Sequence, residues 1–190
     1  MAEDAITLIM RDHRAMEALF EQLTIGTGDR AQLTANLGAM LVAHSRAEEG
    51  KVYPELVKAA PGEKGEVHHG TEEHHQAEQI LHRLERTDPG SPQFDAVLKE
   101  LVDAVKHHVQ EEEAEILPAL RGAVSPQRLE ELGKAFADHR AQELSGSGGT
   151  GTAPEDLTKA ELYEEARKAG VEGRSKMVKD ELAKAVQQAR

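Results

Sequence analysis

The chain has 190 residues, enough for one ordinary domain with a small appendage. Lys plus Arg number 23 against 35 Asp plus Glu, and the formal charge of −12 excludes a generally basic nucleic-acid surface. The absence of cysteine excludes disulfides, thiolate metal sites and thiol nucleophiles, and 3% aromatic content leaves few platforms for stacking bases.

No apolar run reaches membrane-span length and no basic leader opens the chain, so the expectation is a cytoplasmic protein without membrane contact. Charge is uneven. Residues 1–144 hold 15 basic and 27 acidic side chains, whereas residues 155–190 hold 8 of each. Between them residues 145–154 (SGSGGTGTAP) have the composition of a flexible linker.

Residues 1–144 read as helices in chain order. Asp4 can cap a first helix on which Ile6, Ile9, Met16, Phe20 and Leu23 recur at helical spacing, ended by Gly26 and Gly28. A second carries Leu33, Leu37, Leu41, Val52 and Leu56 and breaks at Pro61 and Gly62. The third, about Glu66 to Arg86, carries Ala77, Ile80, Leu81 and Leu84. Ser91 followed by Pro92 opens a fourth with Phe94, Val97, Leu98, Leu101, Val105, Ile116 and Leu120. Ser125 and Pro126 repeat that start for a short fifth helix. The class is all-α, and the short connections favour an up-down-up-down four-helix bundle.

The most informative feature is an internal repeat. A shift of 64 residues lays the second helix on the fourth: Leu37 on Leu101, His44 on His108, Glu48 on Glu112, Pro54 on Pro118. A shift of 61 lays the first on the third: His13 on His74, Glu17 on Glu78, Phe20 on Leu81. Four residues turn a helix by about 400°, so His44 and Glu48 share a face, as do His108 and Glu112. Both pairs interrupt the apolar stripe that should face the core, and His13 and His74 lie on the apolar sides of their helices. Unpaired carboxylates in a core cost several kcal/mol unless they are neutralised or bind a cation. Four imidazoles with two carboxylates therefore point to metal.

In this order, His13, His44-x-x-x-Glu48, His74 and His108-x-x-x-Glu112 resemble the hemerythrins and hemerythrin-like HHE cation-binding domains, over about residues 4–140. The resemblance implies a di-iron centre, oxo- or hydroxo-bridged, with Glu48 and Glu112 bridging and His13, His44, His74 and His108 as terminal ligands. Imidazole and carboxylate suit iron, though they also accept Zn²⁺ or Mn²⁺. Open positions would take O2, peroxide or nitric oxide, as a sensor, a scavenger or a catalase-like enzyme. Oxygen-carrying members place a second His one turn along the third helix; here that residue is Glu78, and an oxygen-richer shell favours ferric iron over reversible carriage.

Several neighbours remain open. Glu17 and Glu78 can be extra ligands or lie just behind the ligands. Tyr53, nine residues after His44, belongs on the far side of an ideal helix unless Pro54 distorts it. Glu49 and Glu113, about 100° round from the site, are expected on a solvated face. His68, His69, His75, His107 and His139 are expected to be exposed, with His82 either behind the site or on the surface.

Residues 155–190 read as a small two-helix unit. Its pattern from Leu157 through Gly170 to Leu182 resembles the helix–extended loop–helix of Rho N-terminal and SAP-like families. That resemblance implies a weak nucleic-acid contact, through Arg174, Lys176 and Lys179, or a protein contact. The alternative function is then a metal-sensing regulatory module whose C-terminal unit contacts DNA or a protein.

Overall fold

A computed structural model of the chain describes residues 3–145 and, further on, residues 162, 166 and 177–188. The chain divides into two compact units, Met1–Ser147 and Gly148–Arg190. The described residues are helical apart from turns and caps, with no strand among them.

In the first unit α1 spans Ala5–Ile25. Asp4 caps it by accepting from the Thr7 amide at 2.8 Å, and Gly26, at φ 72°, ends it in the left-handed conformation that favours glycine. Next, α2 (Arg30–Ala47) starts at Asp29, whose carboxylate accepts from the amides of Ala31 and Gln32. A single widened turn, Glu48–Val52, joins it to α3 (Tyr53–Ala59). After a short 3₁₀ turn come α4 (Lys64–Glu85) and α5 (Pro92–Glu111). A second widened turn, Glu112–Ile116, leads into α6 (Leu117–Ala123). The helices α1, α2, α4 and α5 form the four-helix bundle, with α1 beside α2 and α5, and α4 beside α2 and α5.

The two widened turns have a local cause. Pro54 and Pro118 lack an amide proton, and a proline ring clashes with the carbonyl four residues earlier in a regular helix. The turn preceding each proline opens by one residue, so that the Tyr53 amide donates to Glu48 O and the Leu117 amide to Glu112 O. Both fall directly after the His-x-x-x-Glu pairs, as the repeat requires.

The fifth bundle helix, α7 (Pro126–Leu144), is not short: it runs for 19 residues. Ser125 caps it, and it lies along α1, α2 and the first widened turn. Contact is close because Gly133 meets the backbone of Glu3 and Asp4, where no Cβ would fit. Two apolar layers fill the bundle. One gathers Ile9, Val52, Leu56, Ile116, Leu120 and Phe136; the other gathers Met16, Phe20, Leu37, Leu81, Leu101 and Val105. A polar layer separates them.

Of the second unit, α8 (Lys179–Gln188) is described, and Leu162, Ala166 and Leu182 are buried. The expected linker from residue 146 onward, most of the first tail helix, and Arg174 and Lys176 lie outside the described residues. No helix among the described residues is long and apolar enough to cross a membrane.

Candidate metal centre

The polar layer holds His13, His44, Glu48, His74, His108 and Glu112, each no more than 6% exposed. They fall into two groups with ligand atoms within 4.8 Å of one another. His13, His44, Glu48 and Glu112 make the first, and Glu48, His74 and His108 the second. Glu48 belongs to both: its Oε1 lies 3.2 Å from His44 Nε2 and its Oε2 3.3 Å from His74 Nε2. Glu112 places Oε2 3.2 Å from His13 Nε2, while its Oε1 accepts from the Tyr53 hydroxyl at 3.2 Å.

A carboxylate stands behind every imidazole. His13 Nδ1 donates to Glu113 at 2.9 Å, His74 Nδ1 to Glu49 at 2.9 Å, and His108 Nδ1 to Glu73 at 3.0 Å. Asp12 lies 3.5 Å from His44 Nδ1. The repeat organises these partners, since Asp12 corresponds to Glu73 and Glu49 to Glu113. Their effect is chemical. With Nδ1 of His13, His74 and His108 donating to these carboxylates, Nε2 is the atom that each of those rings turns inward. His74 Nε2 and His108 Nε2 then face each other at 2.9 Å, an arrangement that repels unless a proton or a metal cation sits with them.

Arginines back three of those carboxylates. Arg14 pairs with Glu113, Arg140 with Asp12, and Arg46 lies 3.7 Å from Glu49. The first and last correct the expectation for Glu49 and Glu113, which are half-buried and aimed at imidazoles of neighbouring helices rather than standing on a solvated face. Arg46 also donates to Glu78 at 3.1 Å, and Glu17 pairs with Arg14 at 2.7 Å, so neither Glu17 nor Glu78 joins the two groups. Tyr53 does reach the layer. The extra residue of the widened turn absorbs about 100° of rotation and swings it from the far side to the interior. Its ring stacks on His74, centroids 5.7 Å apart, in space left by Gly70. Phe136 and Arg140 of α7 close the layer beside His44, a role that the spacing of a separate helix does not announce. His68, His69, His82 and His107 are exposed, whereas His75 and His139 are half-buried, His139 against Gly50.

The electrostatics are those of ionisable groups crowded into a dry layer. Burial pulls the His13 imidazole down, but the negative charge of Glu112, whose Oε2 lies 3.2 Å away, outweighs it and raises the group to about 9. Burial lowers His44 to about 4 and also lowers His108. Burial, with the charge of Glu112 added, holds Glu48 well above the ordinary carboxylate range. Burial lifts Tyr53 above its usual value too. His13 Nε2, His44 Nε2, both oxygens of Glu48 and Glu112 Oε2 make no hydrogen bond. Inward lone pairs and unsatisfied carboxylate oxygens in one dry layer fit a metal well; a purely protein interior would leave them uncompensated.

Imidazoles and carboxylates converging between two apolar layers define a cation-binding helical bundle. Residues 4–120 match the hemerythrin HHE cation-binding domain, and the chain belongs to that family. A crystal structure of a hemerythrin HHE cation-binding domain-containing protein from Mycobacterium kansasii superposes with a TM-score of 0.67. The two share 21% identity over 96% of this chain and 99% of the other, a likeness of fold. A curated protein of Nostoc sp., described as a DNA nickase, is 28% identical over 149 residues, 76% of this chain. This chain spans 42% of the length of that relative.

Proposed function

We propose that the chain is a non-haem di-iron protein that binds or reacts with O2, peroxide or nitric oxide. The observation that carries this reading is Glu48, whose two oxygens lie 3.2 Å from His44 Nε2 and 3.3 Å from His74 Nε2 and so join the two ligand groups, while carboxylates accept the Nδ1 protons of His13, His74 and His108. His13, His44, Glu48 and Glu112 would hold one ion, and His74, His108 and Glu48 the other, with Glu112 at their border. A pair of redox-active irons, when bound, supplies the electron exchange that these small molecules need. Iron suits the mixture of imidazole and carboxylate.

The chain's own residues set what can reach the site. A cleft of about 10 Å³, roughly the room for one water, has His108 and Glu112 among its lining residues, so it excludes all but very small molecules. The Tyr53 hydroxyl is the layer's neutral donor, kept protonated by burial and directed at Glu112. Metal analysis of the purified full chain, followed by peroxide consumption and nitric oxide binding, tests the reading. Two irons per chain and reaction with at least one of the two ligands are expected. Zinc or manganese at full occupancy would overturn it.

A second reading follows from the Nostoc relative: a metal-dependent action on DNA, helped by a weak contact of residues 155–190. Nicking of supercoiled plasmid by metal-loaded protein, abolished in the His108→Ala variant, would favour it over small-molecule chemistry.

A further inference from the structure

Three of the four carboxylates behind the imidazoles are compensated by arginine; Glu73 is the exception. Its Oε2 accepts from His108 Nδ1 at 3.0 Å, and no lysine or arginine pairs with it among the described residues. Its Oε1 instead faces His69 Nε2 at 3.7 Å and His107 Nε2 at 3.6 Å. Opposite stands Glu111, whose oxygens lie 3.3 Å from His69 Nε2 and 3.2 Å from His107 Nε2. Two His-x-x-x-Glu pairs, His69 and Glu73 on α4 and His107 and Glu111 on α5, thus meet face to face at the surface.

These side chains are placed so that they could hold a cation. His69, Glu73 and Glu111 each offer an atom within 4.8 Å of the others. Ligand arms of about 2.0–2.1 Å in a tetrahedron place neighbouring donor atoms roughly 3.3 Å apart, close to the His69–Glu111 separation. His69 Nε2 and Glu73 Oε1 lie 3.7 Å apart, a few tenths of an ångström beyond that spacing. A second observation comes from the cleft. Its walls include His69, Glu73 and Glu111, and it is also lined by His108 and Glu112 of the inner layer. The exposed cluster therefore borders the inner layer at this cleft.

We propose that His69, Glu73 and Glu111 bind a divalent transition-metal cation at the mouth of this cleft. There the ion does for Glu73 what Arg14, Arg46 and Arg140 do for its three counterparts. One imidazole and two carboxylates suit Zn²⁺ or Fe²⁺, with water completing the shell of an exposed site. His107, whose Nε2 lies 3.6 Å from Glu73 Oε1 and 3.2 Å from Glu111 Oε1, is not one of the three. This outer site does not depend on what the inner six residues hold.

The test is a Zn²⁺ titration of the full chain as purified, followed by calorimetry after its tightly held metal has been counted. The wild type should take up one more chelator-removable Zn²⁺ per chain than the His69→Ala/Glu111→Gln variant, at unchanged helical circular dichroism. Equal uptake by the two would overturn the proposal. If the double variant does not fold, His69→Ala alone, at an exposed position, makes the same comparison. Failure of the inner-centre reading shows separately, as an absence of tightly held metal before Zn²⁺ is added.

Discussion

The Tyr53 hydroxyl donates to Glu112 Oε1 at 3.2 Å, across the core from one half of the repeat to the other. The residue that corresponds to Tyr53 in the second half is Leu117, so this hydrogen bond breaks the near-twofold symmetry of the layer. Glu48, related to Glu112, has no such donor and spreads its oxygens over both histidine groups instead.

Tyr53→Phe should keep the ring stacked on His74 and remove only that bond. Hydrogen bonds to charged groups contribute about 1.5–3 kcal/mol, so the variant should melt earlier while retaining its metal count. Gly70→Ala should act in the same direction, because its Cβ would lie 3.2 Å from the Tyr53 oxygen. Thermal denaturation with metal analysis of both variants checks this. Complete metal loss in Tyr53→Phe would make the tyrosine a ligand rather than a support.

Glu48→Gln should strip both ions, since each oxygen of Glu48 serves a different histidine group. The metal-free chain should behave in the opposite sense. Removing one of two repelling buried carboxylates is expected to leave it as stable as the metal-free wild type, or more so. Denaturation with and without a chelator compares the two. A variant that keeps two ions with an unchanged absorption spectrum would rule out the bridge.

His107 and His108 are adjacent yet should respond differently. The His108 side chain is 8% exposed and faces His74 Nε2, whereas that of His107 is 61% exposed. His108→Ala should lose the tightly held metal; His107→Ala should leave it in place and change stability by about 0.5 kcal/mol or less. Metal counts on both variants decide the matter, and loss in His107→Ala alone would reverse the assignment.

Truncation after Ser147, where the first unit ends, should preserve the inner centre. Disturbing α7 should not. Phe136 packs edge-on against His44 with centroids 5.8 Å apart, and Phe136→Ala should cost about 3–5 kcal/mol and weaken metal retention. Metal retention on dialysis compares the two chains. Equal loss from both would mean that residues 148–190 support the bundle.

Much of this molecule is written locally. Apolar residues at helical spacing, Asp4 as a cap, and the Ser91–Pro92 and Ser125–Pro126 starts depend on neighbours in sequence, so the helices and their order are legible without coordinates. The repeat adds that His13, His44, Glu48, His74, His108 and Glu112 share the inward stripe, because a helix face follows from spacing alone. Tertiary structure decided the rest. Glu49 and Glu113 point away from their own stripe, and only the approach of α4 and α1 turns them into partners of His74 and His13. The length of α7 and its placement over His44, through Phe136 and Arg140, come from packing against α1 and α2. Tyr53 enters the layer because a proline widens one turn and Gly70 leaves room across the bundle. His69 and Glu111, on the exposed faces of two helices, become neighbours only once those helices pair. A side chain's own helix sets its face, but what that face meets depends on helices distant in sequence.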